Sequence, residues 1–174
     1  MEVSVNCLVA PSPEHSFRDV NTEFVRILEE EIETNPHSQF TLMACCLNKD
    51  VNITEVAEGK HQLQVIGGNH SRIALQSLHL KYPDRPAYQK CTIKLYINLT
   101  DQECLRVGYI HNKIHNFALT SSFEDLTKLF QRHLKFKGEK PGKQITKRWK
   151  NSLVEILGLD KEKVGFFSRC QYLL

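Results

Sequence analysis

The chain has 174 residues, of which 41% are hydrophobic and 25% charged, a composition typical of a globular protein that buries a sizeable core. Its formal net charge of +3 is too small to indicate nucleic-acid binding by itself, and no apolar run approaches the length of a membrane span. The first six residues lack the basic and apolar regions of a secretory signal, so we expect an intracellular protein, cytoplasmic or nuclear.

The first half of the chain alternates between predicted strands and helices. Residues 3–10 have the pattern of a strand, and apolar residues at helical spacing predict a helix over about 16–34. The apolar run 39–47 predicts a central strand, and the polar residues 48–60 predict a loop or hairpin.

The predicted elements from residue 61 to about residue 115 complete the first, mixed part of the chain. We expect a strand over 61–66, a helix from Asn69 to Lys81, and a half-buried strand over 91–98, where apolar and polar residues alternate. Thr100 and Glu103 form a capping-box pattern that starts a helix to about residue 115. The sequence therefore predicts an α+β body over residues 1–117, with a small mixed sheet and flanking helices.

Residues 118–174 are predicted to be an all-helical tail. Two predicted helices joined by a short turn at Gly158 have the spacing of a helix-turn-helix motif. We favour the simpler interpretation of a plain helical hairpin. Between residues 128 and 150, nine Lys and Arg residues stand against a single acid, Glu139. We expect this charge to contact nucleic acid. The contacting cations are Lys135, Lys137, Lys140, Lys143, Lys147, Arg148 and Lys150.

The six cysteines follow no Cys-x-x-Cys spacing, and several lie in apolar, strand-like segments. This pattern favours buried thiols in a reducing compartment over a disulfide framework.

A strand that ends in two glycines and opens directly into a helix is the strongest functional signal in the chain. Free backbone N–H groups at a helix N-terminus bind anions, and the polar residues of the first turn could donate further hydrogen bonds. The predicted phosphate-binding set is Gly67, Gly68, Asn69, His70, Ser71 and Arg72. The structural alternative is a tight turn whose polar residues only cap the helix.

A second polar cluster lies near the end of the helix that follows Thr100. His111 and His115 are four residues apart and share a helix face, and Cys104 lies near that face, a set that could bind zinc. A polar helix end is the structural alternative. We favour a third interpretation, in which Asn112 and either Lys113 or His115 contact phosphates held at the glycine loop, provided that the two segments are neighbours.

Together these motifs resemble those of the ParB/sulfiredoxin superfamily, over residues 3 to about 130. Residues 67–74 resemble the Gly-x-His-Arg-x-x-Ala loop of that family, and residues 111–115 resemble its Glu-Asn-x-x-Arg motif. The resemblance implies a ParB-like fold that binds a nucleoside triphosphate, ATP or CTP, with Mg²⁺. On this resemblance His111 and Asn112 correspond to the metal-binding position.

Two departures from the family pattern change which of the family's activities we expect of this chain. Sulfiredoxins carry a catalytic cysteine where this chain has Asn69, so no thiolate is available in the loop and sulfiredoxin activity is not expected. Histidines at 111 and 115 replace the acid and the arginine of ParB proteins, which weakens the expected metal and phosphate contacts.

Our leading hypothesis is therefore a ParB-like domain that binds a phosphate-bearing ligand, either a nucleoside triphosphate or the DNA backbone. The second is a metal-dependent nuclease, a weak nucleotide triphosphatase or a phosphotransferase, with His70 as the acid/base. The third is a degenerate fold that serves as a protein-interaction module. The expected partner is a nucleotide or nucleic acid and not a membrane, and a homodimer is left open.

Overall fold

The computed structural model describes residues 1–36 and 42–114, together with positions 125, 128, 129, 132 and 154. It shows an α+β body built on a five-stranded mixed sheet, as predicted. The strands are β1 (Glu2–Ser4), β2 (Leu8–Val9), β3 (Met43–Leu47), β4 (Leu63–Gly67) and β5 (Lys90–Ile97). The helices are α1 (Thr22–Thr34), α2 (Ile53–Ala57), α3 (Asn69–Lys81) and α4 (Asp101–Ile114), with short 3₁₀ turns at Val5–Cys7 and Pro86–Tyr88.

The sheet has the order β1-β5-β3-β4-β2. β3 lies at its centre, parallel to β5 and antiparallel to β4, as its uninterrupted apolar run predicts. Alternate residues of β3 enter two separate cores. Met43 and Cys45 join the larger cluster, whereas Ala44 and Cys46 join a smaller cluster that includes Cys104 of α4.

The prediction of one strand over residues 3–10 is wrong, because the segment divides into two edge strands. β1 pairs with β5 at one edge of the sheet and β2 pairs with β4 at the other, and the 3₁₀ turn carries the chain between them. The Ser4 hydroxyl accepts a hydrogen bond from the Asn6 N–H and caps this turn. The side-chain amide of Gln76 donates to the carbonyls of Val5 and Leu8, at 3.1 and 2.8 Å.

Gln76 therefore links α3 to the carbonyls at both ends of the 3₁₀ turn. Replacing it with methionine should lower the free energy of unfolding by about 1–3 kcal/mol, the usual cost of leaving half-buried polar groups without their partner. Urea denaturation of Gln76→Met beside Gln62→Met, a substitution at an exposed glutamine just before β4, measures this. Equal stabilities for the two variants would contradict this role for Gln76.

Two other boundaries differ from the predictions. α1 begins at Thr22 instead of near residue 16, since Asn21 is its N-cap and accepts a hydrogen bond from the Phe24 N–H at 2.9 Å. The predicted loop 48–60 contains α2, which Asn52 caps through its side chain and which buries Val56.

The other predicted elements of the body are present, although β3 begins at Met43 and residues 39–41 of its predicted run lie outside the described residues. α3 has the predicted bounds, Asn69–Lys81. The capping box of α4 is formed in full, because the Thr100 N–H donates to the Glu103 carboxylate and the Glu103 N–H donates to the Thr100 hydroxyl. The cysteines at 7, 45, 46, 91 and 104 are buried free thiols, and Cys170 lies outside the described residues.

Most of the predicted helical tail lies outside the described residues. Of its described positions, Lys128 and Arg132 form ion pairs with Asp19, and Leu129 is buried. In the described part of the chain, every helix falls short of the length and apolar character that a bilayer crossing requires.

Candidate functional site

The two polar segments singled out in the sequence are neighbours in the fold, because α4 packs closely on β4. A Cβ atom added to Gly108 of α4 would lie 2.5 Å from the Ile66 carbonyl oxygen of β4. One added to Gly67 would lie 2.6–2.8 Å from three side-chain carbons of His111. Both glycines thus permit a helix–strand approach that any larger side chain would obstruct.

Gly68 makes the turn from β4 into α3. Its φ of +89° is in the left-handed region that favours glycine, and it is the N-cap of α3. The 13-residue helix therefore presents its N-terminus, with Asn69 and His70 in the first turn, towards α4. A helix N-terminus carries partial positive charge and outward N–H groups, the features expected of an anion site.

A narrow cleft lies at this helix N-terminus. Its floor comes from Val65 and Ile66 of β4, and one wall comes from the loop that joins β2 to α1. The polar residues that line it are Ser16, Arg18, Asn69, His70 and Asn112, with Gly68 between them. The free volume is about 20 Å³, room for about one water molecule, so a larger group would have to bind at the mouth or displace the loop.

Asn112 supplies the contribution of α4 to this cleft. Its side-chain Nδ2 donates to the Gly108 carbonyl at 2.8 Å, one helical turn back, which fixes the orientation of the amide. The amide oxygen is the acceptor end and the second Nδ2 hydrogen is a further donor. Asn112 is thus held beside the α3 N-terminus by its own helix.

His70 has a clear structural partner. Its Nε2 accepts a hydrogen bond from the Asn21 backbone N–H at 3.0 Å, which joins the N-terminus of α3 to that of α1. Burial, reinforced by the positive charge of Arg18, lowers the pKa of His70 to about 4. At neutral pH the ring is therefore uncharged, with Nε2 as acceptor and Nδ1 as the protonated nitrogen.

Arg72 and Ser71 do not line the cleft. The Arg72 guanidinium donates to Asn69 Oδ1 at 2.8 Å and to Gln76 Oε1 at 2.6 Å, which directs it along α3. Ser71 is buried. His115 and the seven basic residues from Lys135 to Lys150 lie outside the described residues, so their predicted contacts stay predictions.

Arg18 is a cleft residue that the sequence analysis did not single out. Its guanidinium is buried, lies 5.5 Å from the centre of the Phe17 ring, and has a pKa lowered by desolvation. Phe17 packs in turn against Tyr109 of α4 at 5.6 Å between ring centres. Aromatic packing therefore brings a positive charge from an irregular loop to the α3 N-terminus.

A second cluster lies on the α4 side of the sheet. His15, Cys46 and Cys104 are all buried, and their ligand-type atoms lie within 4.8 Å of one another. Cys104 thus joins His15 and Cys46, whereas the metal-ligand set predicted from the sequence paired it with His111. The hydrogen bond with Cys46 raises the pKa of His15 to about 9, and hydrogen bonds from Cys104 and His15 lower the pKa of the Cys46 thiol.

No protein-family model matches the chain, and no curated protein sequence matches it.

Proposed function

We propose that this chain is a ParB-like domain that binds a phosphate-bearing ligand at the N-terminus of α3. The ligand is a nucleoside triphosphate, ATP or CTP with Mg²⁺, or the DNA backbone. The observation that carries the proposal is the convergence of Arg18, Asn69 and Asn112 on a helix N-terminus opened by a left-handed glycine.

The geometry favours a phosphate group over a buried whole nucleotide. The cleft has room for little more than a water, so the sugar and base of a nucleotide would lie outside it. Phosphate oxygens at the mouth would accept hydrogen bonds from the first-turn N–H groups of α3 and from the side chains of Arg18 and Asn112. His111 packs on Gly67 and Gly68, beside the turn that opens α3, and is the residue that would contact a phosphate-bound metal there.

The geometry of His70 supports binding over hydrolysis. A general acid/base works best with a pKa near the operating pH, whereas the pKa of His70 lies at about 4 and its Nε2 is occupied by the Asn21 N–H. The nuclease or phosphotransferase hypothesis would require another acid/base. Intact plasmid after incubation with excess protein and Mg²⁺ or Mn²⁺ is therefore the expected result.

A thermal-shift screen against the four nucleoside triphosphates, each with and without Mg²⁺, and against a short DNA duplex tests the binding proposal. A ligand present at a hundred times its Kd stabilises the protein by about 2.7 kcal/mol, which raises the Tm by several degrees. Arg18→Met should abolish this shift, since it removes the charge and keeps the apolar stem. An unchanged Tm with every ligand would contradict the proposal.

The matched control is Arg106→Met, which removes an exposed arginine from α4 outside the cleft. It should leave the ligand-induced shift unchanged. Equal losses in Arg18→Met and Arg106→Met would mean that binding follows net charge alone and not the cleft.

A further inference from the structure

The cluster of His15, Cys46 and Cys104 is built from three separate parts of the fold. Cys46 lies on the central strand β3, Cys104 in the second turn of α4, and His15 in the loop between β2 and α1. Their exposed fractions are 5%, 2% and 0%, in chain order. Three ligand-type side chains from distant positions in the sequence therefore converge in a buried site.

The spacing of the three ligand atoms is close to that of a tetrahedral metal site. Zinc bonds of about 2.3 Å to sulfur and 2.0–2.1 Å to nitrogen place the ligand atoms of a tetrahedral site roughly 3.3–3.8 Å apart. The three atoms here all lie within 4.8 Å of one another. The ligand atoms would have to approach one another by at most about 1.0–1.5 Å to reach these distances.

The Nε2 side of His15 has the environment of a metal-bound histidine, whereas Nδ1 would exchange its hydrogen bond with Gln64 for the metal. Its Nε2 lies 2.9 Å from the Asp101 carboxylate, and its Nδ1 lies 3.0 Å from Gln64 Oε1. The Cys46 thiol lies 3.9 Å from the same Gln64 oxygen, so Nδ1 and the Cys46 sulfur face a common point. A carboxylate that holds the outer nitrogen of a histidine is the usual support for metal binding through the inner one.

We propose that His15 Nδ1, Cys46 Sγ and Cys104 Sγ bind a zinc ion, with Gln64 Oε1 or a water in the fourth position. Two thiolates and an imidazole favour Zn²⁺ over Mg²⁺ and Ca²⁺, which prefer oxygen ligands. Binding releases two protons from the His15, Cys46 and Cys104 cluster to solvent and leaves the His15 Nε2 proton hydrogen-bonded to Asp101.

The bound ion would fasten the β2–α1 loop to the sheet and to α4. This loop also carries Ser16, Phe17 and Arg18, which line the cleft at the α3 N-terminus. The metal therefore has a structural part in positioning one cleft wall, and it is separate from the phosphate-binding groups.

Cobalt substitution of the full-length protein tests this proposal. The reduced protein, stripped of metal and titrated with Co²⁺, should develop a thiolate-to-metal charge-transfer band and strong visible bands of tetrahedral cobalt, both lost on addition of Zn²⁺. Cys46→Ala and Cys104→Ala should abolish the bands. Cys45→Ala is the matched control, because Cys45 is buried on the same strand but belongs to the other core.

Asp101→Asn gives a variant that keeps all three ligands and changes an exposed side chain. It should weaken Co²⁺ and Zn²⁺ binding about 10- to 100-fold and leave the fold intact by circular dichroism. This result separates metal binding from the stability of the cysteine variants, which change the core.

The proposal is overturned if the wild-type protein gives no charge-transfer band, or if Cys45→Ala and Cys46→Ala lose it equally. It is also overturned if mass spectrometry of the native protein shows a Cys46–Cys104 disulfide and the reduced protein takes up no metal. A Cys46–Cys104 disulfide without metal uptake would make these two cysteines a redox couple instead.

Discussion

Gly108→Ala is expected to destabilise the protein by at least about 2 kcal/mol, although alanine is the better helix former by about 1 kcal/mol. The steric effect outweighs propensity because the new methyl group would lie 2.5 Å from the Ile66 carbonyl oxygen, a backbone atom fixed in β4. α4 would have to move away from the sheet, which would also separate Asn112 from the α3 N-terminus. Urea denaturation measures the stability change.

Arg106→Ala is the control for this substitution, because Arg106 is exposed on the same helix. Its stability should stay within about 0.5 kcal/mol of the wild type. If Gly108→Ala were as stable as the wild type or more so, α4 would not pack closely on β4. The glycine loop and the polar end of α4 would then not be neighbours.

Acid should weaken the fold through His70. The folded-state pKa of about 4 lies below the value of 6.5 for an unperturbed histidine, so the unfolded chain takes up a proton in this window and the folded protein does not. The stabilisation from His70 is therefore fully present above pH 6.5 and is lost as the pH falls towards 4. The expected loss is roughly 2–3 kcal/mol.

Comparing the free energy of unfolding from pH 7 to pH 4 in the wild type and in His70→Gln isolates this contribution. Glutamine can still accept the Asn21 N–H bond through its side-chain oxygen but does not titrate. The wild type should lose about 2 kcal/mol more than the variant over this range. Parallel pH profiles would show that His70 is not buried as a neutral acceptor.

Local sequence patterns correctly predicted the start of an element where residues in or beside that element determine it. Gly68 ahead of Asn69 placed the start of α3, and the reciprocal bonds of Thr100 and Glu103 placed the start of α4. The uninterrupted apolar run of β3 placed it at the sheet centre. The close approach of α4 to the glycine loop could be stated only as a condition, since it depends on how separate elements pack.

Long-range contacts explain what the sequence did not reveal. The division of the first strand depends on hydrogen bonds from Gln76, some 70 residues away, to Val5 and Leu8. The approach of His15 to Cys46 and Cys104 leaves no spacing motif, since the three lie in different elements. His70 looked like a free donor because its partner, the Asn21 N–H, is a backbone group at the start of another helix.

The most direct test of the central claim is a nuclear magnetic resonance titration of the ¹⁵N-labelled protein with tripolyphosphate, ATP and CTP, each with and without Mg²⁺. Phosphate binding at the cleft predicts the largest shifts at the backbone amides of Gly68, Asn69 and His70 and at the Asn112 side-chain amide, and it predicts that Arg18→Met removes them. Resonances at the cleft that do not move at saturating ligand, or shifts confined to residues 135–150, would contradict it.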